Sequence, residues 1–469
     1  MTLAEAVGDD ILSTLPEHLS ALVALPGEPG YERCTPWNVA VQVAPAAVVF
    51  ATQPHHVAEA VRFAGWHGLR VTVQATGHGA VPIGQDTILV LTSAMTECVV
   101  DPDAHTARVA AGATWQQVID AAAPYGLAPL CGSAITVGVV GYLTGGGVGP
   151  LARSVGVSSD YVRSFDVVTG AGELLRVTPD AYPELFWGLR GGKATLGIVT
   201  EVEIDLLPIP EFYGGTLYFD GDQAPAVLRA WYGWCATLPE NVNTSIALQH
   251  LPPLPGVPEP LAGRLTIAVR YAALDDFAEA ATLLEPIRAA GTPVLDTVDV
   301  LPYAAIGSVH ADPVDPMPVY EEQTLLRELT SEVVDILLAA AGPGSASVQT
   351  IVEVRMLGGV FARQAEHSSA FCHRNAAYAV TTIGVLAEPA AELVPAQARA
   401  LGRALAPWST GGLMPNFAPS ADPARAARVY DDDTRHWLGA LADHYDPDGV
   451  LATGQVVRMP ASELPQNSL

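Results

Sequence analysis

The sequence predicts an α+β fold with two domains, and three observations lead to this class. A chain of 469 residues, of which 49% are hydrophobic, can bury more core than one domain usually holds. The N-terminal part alternates β-branched strand segments with segments of helical apolar spacing, which is the pattern of a βαβ unit. Residues 209–420 combine strands with amphipathic helices between proline clusters, which is typical of an antiparallel sheet backed by helices.

The first domain, residues 1–208, is predicted to contain a βαβ unit that ends in a turn around His78. Glycines at 68 and 126 are expected to end its helices, and Thr114 to cap one. The predicted elements, in order, are a helical start, a strand (41–52), a helix (54–64), the strand leading to His78, short strands (88–111), a helix (114–125), a hairpin (162–169 and 173–177) and a strand (200–206).

The second domain, residues 209–420, is predicted to hold the antiparallel sheet. Its strands are expected at 216–219, 244–250, 264–271, 351–356 and 378–386, and its helices at 223–238, 276–290 and 325–341. A helical run (423–444) and the tail to 457 form a third segment, 421–469. The family resemblance described below implies that this segment returns to the first domain.

Charge and composition exclude several classes of partner. The net charge is −27 with a pI near 4.6, so the surface repels nucleic acid and anionic membranes. No apolar run reaches the length of a membrane span. The five cysteines are odd in number and scattered, and the first ten residues are acidic where a signal peptide would be basic, so we expect a cytoplasmic protein. No G-x-S-x-G or H-E-x-x-H motif supports a hydrolase or a metal site.

The segment 71–80 is the most informative in the chain. A β-branched strand runs into a turn in which His78 stands between Gly77 and Gly79. Glycines can adopt positive φ, and their N–H groups can then close on a diphosphate. A histidine held there has a free pKa near 6.5, so much of it is neutral and nucleophilic at neutral pH. The alternative is an ordinary polar turn.

This turn resembles the diphosphate loop of the berberine-bridge-enzyme-like FAD-linked oxidases of the vanillyl-alcohol-oxidase superfamily. The resemblance continues in order along the chain with LCGSAITVGVVGY (130–142), GGGVG (145–149), LFWGLRGG (185–192), LGIVT (196–200) and YDPD (445–448). It implies a PCMH-type FAD-binding domain of two subdomains and a separate substrate domain. The run at 145–149 is not a Rossmann fingerprint, because Pro150 stands where its last glycine would be.

The resemblance implies FAD held by one covalent bond to His78. Family members with a second bond carry a cysteine where this chain has Ala134, and Cys131 lies too far away to replace it. Gln74 stands where related loops often carry arginine. The cofactor-binding residues implied are Gln74, Ala75, Thr76, Gly77, His78, Gly79, Ser133, Val137, Gly138, Gly141, Gly146, Gly197, Ile198, Val199 and Asn416.

Proton transfer is expected to involve Glu353. It lies two residues from Arg355 on a predicted strand, so both point to one face, while Val352 and Val354 point to the other. The pair is equally compatible with a solvated strand. Family members often carry a tyrosine base where this chain has Met414, whose thioether has no acid–base function. Tyr142 and Tyr320 are therefore the other candidate bases, with Arg270, His250, His373 and Arg374 as weaker pocket candidates.

The function implied is an FAD-dependent oxidase of a specialised small molecule in secondary metabolism. Hydride passes from an alcohol, amine or activated carbon to the flavin, and molecular oxygen takes the electrons to give hydrogen peroxide. Val137 lies where relatives gate oxygen, and a compact valine is compatible with this. Two alternatives stay open: a flavin-dependent cyclase without net oxidation, motivated by the missing tyrosine, and a non-catalytic flavin-carrying protein.

Overall fold

The computed structural model describes residues 17–451 apart from positions 418, 420 and 421. The α-helices of this part are α1 (Glu17–Ser20), α2 (Pro54–His67), α3 (Trp115–Ala122), α4 (Val139–Leu143), α5 (Ala152–Val155), α6 (Pro183–Leu189), α7 (Ala224–Cys235), α8 (Phe277–Arg288), α9 (Ser331–Ala341), α10 (Leu393–Ala404), α11 (Pro423–Ala426) and α12 (Asp432–Tyr445).

The strands of the same part form three sheets. They are β1 (Val23–Ala24), β2 (Ala47–Phe50), β3 (Arg70–Gln74), β4 (Thr87–Leu91), β5 (Cys98–Asp101), β6 (Thr106–Ala110), β7 (Val162–Val168), β8 (Leu174–Val177), β9 (Ile198–Asp205), β10 (Glu211–Asp220), β11 (Val242–His250), β12 (Leu265–Ala273), β13 (Pro293–Asp296), β14 (Asp299–Pro302), β15 (Val319–Leu326), β16 (Ile351–Met356) and β17 (Tyr378–Val385).

The first sheet has the order β1-β2-β4-β3, with β2, β4 and β3 parallel and β1 antiparallel at the edge. The predicted helix before β3 is confirmed as α2. Pro54 begins it and Gly68 ends it in the left-handed conformation. Its apolar side of valines and alanines, with Phe63, is buried against β3 and β4. The turn at His78 therefore follows an edge strand that is paired with β4 and packed against α2.

The second sheet is antiparallel, with the order β5-β6-β9-β7-β8. Helix α3 packs on it through Trp115, which is fully buried. The Thr114 N–H donates to Gln117 Oε1 at 2.9 Å, so the predicted N-cap of this helix is confirmed. The hairpin β7–β8 and the alternating strand β9 also agree with the predicted elements.

The third sheet is antiparallel, runs in the order β13-β10-β12-β11-β16-β17-β15, and also pairs β14 with β10. Its outer face packs on α7, α8 and α9 through a core that includes Trp231, Leu284 and Val333. We call the opposite face the inner face; it carries Ser245, Arg270, Gln323, Glu353, Arg355 and Thr381. The predicted α+β class with a helix-backed antiparallel sheet is confirmed.

Strand β15 was missed by the sequence pattern, and this makes one predicted helix wrong. The prediction began a helix at Leu325, but Leu325 and Leu326 end β15 and the helix begins at Ser331. Thr330 sets that start, since its hydroxyl accepts the N–H of Val333 at 3.4 Å. The strand predicted over 41–52 is longer than the observed one, which is β2 alone.

The chain returns to the first two sheets at its C-terminal end. Gly170 N–H donates to Tyr445 O, and Val71 pairs with Leu451. Asp446 accepts the N–H groups of Val450 and Leu451. On this basis we propose the domain boundaries at 208 and 420. The predicted helical start at 1–16 and the tail after 451 lie outside the described residues.

Candidate active site

The turn after β3 is packed so tightly that only glycine fits at position 77. Its φ is +78°, and a Cβ there would lie 2.7 Å from Pro36 Cα and 2.8 Å from Trp37 N. Gly79 differs, since no atom lies within 4 Å of the place where its Cβ would be. One side of the turn is therefore closed by the segment around Trp37, and the other side is open.

The imidazole of His78 is held by two neighbours. Its Nδ1 lies 2.9 Å from Thr76 Oγ1, and the Trp37 indole stacks on it with ring centroids 5.0 Å apart and planes 14° apart. Its Nε2 is buried and has no hydrogen-bond partner among the described residues. Burial lowers the pKa of His78 to about 4. The negative charge of Asp312 raises this pKa, but its effect is smaller than that of burial. The ring is therefore neutral at pH 7 and one of its nitrogens is unpaired.

A second segment, from Gly138 to Gly145, meets this turn. The Gly138 N–H donates to Thr76 Oγ1 at 3.3 Å, and a Cβ at Gly138 would lie 3.2 Å from Ala75 Cβ. Helix α4 begins at the next residue, and no atom lies within 4 Å of a Cβ built on Gly141. The two glycine-containing segments thus touch at Thr76 and leave open space at Gly79 and Gly141.

Lys193, the only lysine of the chain, ties this segment to residue 416. Its Nζ donates to Gly141 O at 2.9 Å and to Asn416 Oδ1, while Asn416 Nδ2 donates to Tyr142 O at 2.8 Å. Burial lowers the pKa of Lys193 to about 8. A Cβ on Gly145 would lie 2.0 Å from Asn416 Oδ1, so this contact requires a glycine there. These contacts fix the shape of the glycine-rich segment.

A buried ion cluster occupies the inner face of the third sheet. The Glu353 carboxylate lies 3.0 Å from Arg270, 3.3 Å from His310 Nε2 and 3.3 Å from Arg355. Arg355 also donates to Val148 O at 3.3 Å, which joins this face to the glycine-rich run 145–149. Val352 and Val354 point into the outer core, so the predicted division of the strand into two faces is confirmed.

The electrostatics of this cluster oppose the predicted role of Glu353 as a base. Burial alone would raise its pKa, but the Arg355 and Arg270 guanidinium groups outweigh burial and hold the pKa of the Glu353 carboxyl well below its usual range. Burial and the same arginines lower the pKa of His310 to about 4. Glu353 is therefore a paired anion and a weak proton acceptor. His310 was not identified from the sequence.

Glu321, also missed, has the opposite electrostatics. It lies on the inner face of β15, two residues from Gln323, whose Oε1 accepts the N–H of Met414 at 2.9 Å. Burial and Asp312 raise the pKa of the Glu321 carboxyl to about 7, although Arg425 opposes them. Asp312 also raises the pKa of His78, although burial outweighs it there. Its only sequence signal was the polar run from Glu321 to Gln323.

Three comparisons place this geometry among known proteins. A family model described as an FAD binding domain matches residues 45–178. The (R)-6-hydroxynicotine oxidase of Paenarthrobacter nicotinovorans is 27% identical over 460 residues, which cover 92% of this chain and 95% of that protein. An FAD-linked oxidoreductase of Dictyostelium discoideum is 25% identical over 354 residues and covers 75% of each.

Solved structures agree with the fold. The crystal structure of 6-hydroxy-D-nicotine oxidase from Arthrobacter nicotinovorans superposes with a TM-score of 0.79 at 23% identity, covering 93% of this chain and 98% of that one. The wild-type BBE-like 1 protein of Physcomitrella patens gives 0.81 at 17% identity over 96% and 99%. This protein is an FAD-linked oxidoreductase with the berberine-bridge-enzyme-like fold. The resemblance inferred from the motifs is confirmed.

The residues of this oxidoreductase fit a flavin at the His78 turn. The unpaired buried Nε2 and the open space beside Gly79 and Gly141 are what a ligand at this place requires. Other predicted cofactor residues have protein neighbours, and their contact with the flavin stays a prediction. Ile198 and Val199 are buried inside β9, and the Gln74 side chain donates to Cys34 O at 3.4 Å. A Cβ on Gly146 would lie 2.2 Å from the Phe371 ring, so this glycine makes room for a packing contact.

Two further predicted cofactor residues, Ser133 and Val137, lie in the half-buried segment just before α4. The Val137 carbonyl accepts the N–H of Trp115 at 3.1 Å, and its side chain packs against the core of the second sheet. Gly197 has a φ of +154°, and its Cβ would lie 2.4 Å from Val167 Cγ2. Whether these residues touch the flavin stays a prediction.

The two tyrosines considered as bases and Cys131 lie in different parts of the oxidoreductase. Tyr142 is buried in the core beside Trp115, and burial raises its pKa far above the usual range. Tyr320 donates to Glu322 at 2.9 Å under the Arg399 side chain, on the face of β15 opposite Glu321. Cys131 is buried 3.5 Å from the Tyr303 hydroxyl, and burial raises its pKa to about 11. None of the three is available as a base on the inner face.

The weaker pocket candidates do not lie together. Arg270 belongs to the ion cluster, whereas Arg374 pairs with Asp160 at 2.7 Å and His373 contacts backbone carbonyls after α11. His250 lies on β11 beyond the cluster. Met414 is buried among Val148, Phe371 and other apolar side chains.

Within the described residues, no three metal-binding side chains lie together, and no helix has the length and apolar character needed to cross a bilayer.

Proposed function

We propose that this protein is an oxidase that carries FAD through a single covalent bond to His78 and oxidises a small molecule under the inner face of the third sheet. The observation that carries the proposal is the neutral His78 imidazole with one buried, unpaired nitrogen beside an open glycine turn. A neutral imidazole is a nucleophile, whereas a protonated one is not.

The bond to His78 would be the only one. Ala134 offers no thiol, and the Cys131 thiol is buried against Tyr303 with a pKa raised to about 11. A thiol in that environment is not ionised at neutral pH and is therefore unreactive. The covalent bond would also offset a weak point of this chain, because Gln74 supplies no positive charge for the diphosphate and the chain carries a net charge of −27.

When bound, FAD would supply the hydride acceptor and the route by which electrons reach molecular oxygen, with hydrogen peroxide as the product. The chain's own residues would position the substrate and move its proton. We propose Glu321 as the proton acceptor, because its carboxyl has a pKa raised to about 7 and lies on the inner face. A base with a pKa near the working pH is the most effective. Glu353 would instead hold Arg270 and Arg355 in place as their counter-charge.

The substrate class follows from the relatives' names and the inner face. The relatives include a 6-hydroxynicotine oxidase, and solved neighbours include a chitooligosaccharide oxidase and a glucose dehydrogenase. An amine, an alcohol or an activated carbon of a specialised metabolite would therefore suit this site. The five cysteines are all free thiols, which supports the cytoplasm as the proposed compartment. The protein would act on small molecules without nucleic acid or membrane partners.

The cyclase alternative rests on Met414, which replaces the tyrosine that many relatives carry, and on the paired state of Glu353. Anaerobic mixing of the purified protein with candidate amines and alcohols separates the two functions. Bleaching of the flavin followed by peroxide formation on admission of air supports the oxidase. Product formation with the flavin still oxidised supports the cyclase and overturns the oxidase.

A further inference from the structure

A small cavity lies beside the buried ion cluster, where α5 meets β11 and β12. Its volume is about 20 Å³, and the residues that line it include Arg153, Ser245, Arg270, His310 and Arg355. One water-sized sphere needs about 10–15 Å³, so the cavity has room for one small molecule or ion. We propose that this cavity is a binding site for a single chloride ion. Such a site goes beyond the proposed function, because no step of it involves the flavin.

The charges around this cavity do not balance. The guanidinium groups of Arg153, Arg270 and Arg355 stay positively charged, because arginine is not deprotonated in proteins. Glu353 contacts Arg270 and Arg355 and supplies one negative charge. His310 is neutral at pH 7, because burial and the arginines lower its pKa to about 4. Three positive charges therefore face one negative charge in a buried place, where an unpaired charge is costly.

Arg153 is the guanidinium without a carboxylate partner. It donates to the backbone carbonyls of Leu238 and Val242 at 3.1 Å, and it makes no ion pair in the part of the chain that the structure describes. Glu240 raises the pKa of Arg153, but burial outweighs this effect and lowers the pKa. The Glu240 carboxylate is half exposed and lies 2.7 Å from Arg363, so it is paired outside the cavity. The excess positive charge is therefore not cancelled by the chain around it.

The lining also has hydrogen-bond donors to spare. Nε of Arg153, Nε of Arg270 and Oγ of Ser245 are buried without a hydrogen-bond partner among the described residues, and all three residues are at least nine-tenths buried. An arginine Nε–H can only donate, and a serine hydroxyl can rotate to donate. Ser245 is paired with Arg270 on β12 and with Arg355 on β16, so its side chain stands between theirs. An anion accepts all these hydrogen bonds and reduces the excess charge, whereas a water molecule leaves the charge unchanged.

The size of the cavity restricts the anion to a monatomic one, because carboxylate and phosphate groups have several heavy atoms. A chloride ion here would join α5, which follows the glycine-rich run 145–149, to the third sheet. The backbone N–H groups of Arg153 and Ser154 already donate to Asn243 Oδ1 on β11, at 2.9 and 3.3 Å. Chloride should therefore stabilise the folded protein at this junction.

Crystals of the full-length protein grown with bromide as the only halide test the site directly, because bromide scatters anomalously. We expect one anomalous peak in the cavity, within hydrogen-bond reach of Ser245 Oγ and the Arg270 guanidinium. Density without an anomalous signal would identify a water molecule and overturn the inference. A cavity without density would overturn it as well.

Thermal unfolding tests the site in solution. Chloride replaces gluconate, which is too large for the cavity, at constant ionic strength, and the wild-type Tm should rise by several degrees. Ser245→Ala removes one donor and should weaken chloride binding by about tenfold, so its Tm should rise only at higher chloride. Ser164→Ala is the matched control, a buried strand serine of the second sheet whose hydroxyl donates to Glu203 at 3.3 Å, and it should keep the wild-type chloride dependence. A wild-type Tm that does not change with chloride, or equal chloride dependence in the wild type and Ser245→Ala, overturns the inference.

Discussion

The carboxylate of Glu353 lies 3.0 Å from the guanidinium of Arg270, a residue 83 positions earlier in the chain, and the exposed fractions of the two side chains are 12% and 4%. Arg355 and His310 complete the shell around it. This arrangement makes Glu353 the counter-charge of a buried cluster at the junction with the glycine-rich run 145–149. The cluster determines what a substitution at Glu353 does.

Glu353→Gln is expected to reduce stability more than catalysis. Removing the anion leaves two buried arginines without a counter-charge, which typically costs about 3–5 kcal/mol. The folded pKa of Glu353 lies well below its usual 4.5, so its contribution is present at neutral pH and disappears as the pH falls through the folded pKa. The Tm difference from the wild type should therefore shrink in acid. Flavin reduction should slow by less than about tenfold.

The opposite result would support Glu353 as the base, as the sequence analysis suggested. A well-placed general base contributes about 10² to 10⁴ in rate. If Glu353→Gln keeps the wild-type Tm and slows anaerobic flavin reduction by such a factor, then Glu353 takes the proton and the assignment to Glu321 is wrong.

Glu321→Gln is expected to slow flavin reduction by about 10² to 10⁴ while leaving covalent flavin content unchanged. A base must be ionised to accept a proton, and burial raises the pKa of Glu321 to about 7. Stopped-flow reduction by the wild type should therefore rise with pH through about 7 and level off above it, and this rise should be absent from Glu321→Gln. A wild-type rate that does not change with pH across this range contradicts the proposal.

Met414→Leu is expected to be nearly silent. Met414 is buried in an apolar cluster with Val148 and Phe371, and its backbone N–H donates to Gln323. Leucine is similar in volume and keeps the backbone donor, so stability should change by less than about 1.5 kcal/mol. A large loss of flavin reduction at unchanged Tm would show that the thioether has a role beyond packing.

The fold was predictable wherever the apolar pattern was simple. Strand β16 has the predicted bounds because apolar and charged residues alternate along it. Helix α2 begins at the predicted Pro54 and continues past the predicted end at 64 to His67, where Gly68 ends it as expected. Strand β15 was missed because three polar residues in its centre, Glu321 to Gln323, hide the alternation. Their place in the sheet depends on pairing with β17, which a local pattern does not contain.

The site was predictable at His78 and only partly elsewhere. Glu353 and Arg355 were assigned to one face of a strand, and they share it. Arg355, two residues away, is a local signal for the low pKa of Glu353, whereas the partners Arg270 and His310 come from distant segments brought together by the fold. The stack of Trp37 on His78 likewise joins two segments that only the fold brings together.

Reduced enzyme is expected to reoxidise rapidly in air with formation of hydrogen peroxide. Among solved neighbours of the same fold, one is named an oxidase and another a dehydrogenase, so the fold alone does not decide the acceptor. Dithionite-reduced protein mixed with aerated buffer gives the rate, and a peroxidase assay gives the peroxide. Reoxidation orders of magnitude slower than turnover would indicate a dehydrogenase that uses another electron carrier.

The mass of the acid-denatured protein tests the central claim most directly. The wild type should carry one FAD on His78 that survives denaturation, because His78 presents a neutral ring with an unpaired nitrogen. The added mass should be absent from His78→Ala and present in Cys131→Ala, whose thiol is buried against Tyr303. Yellow flavin released into the acid supernatant from the wild type, with the protein at its bare mass, would contradict the account.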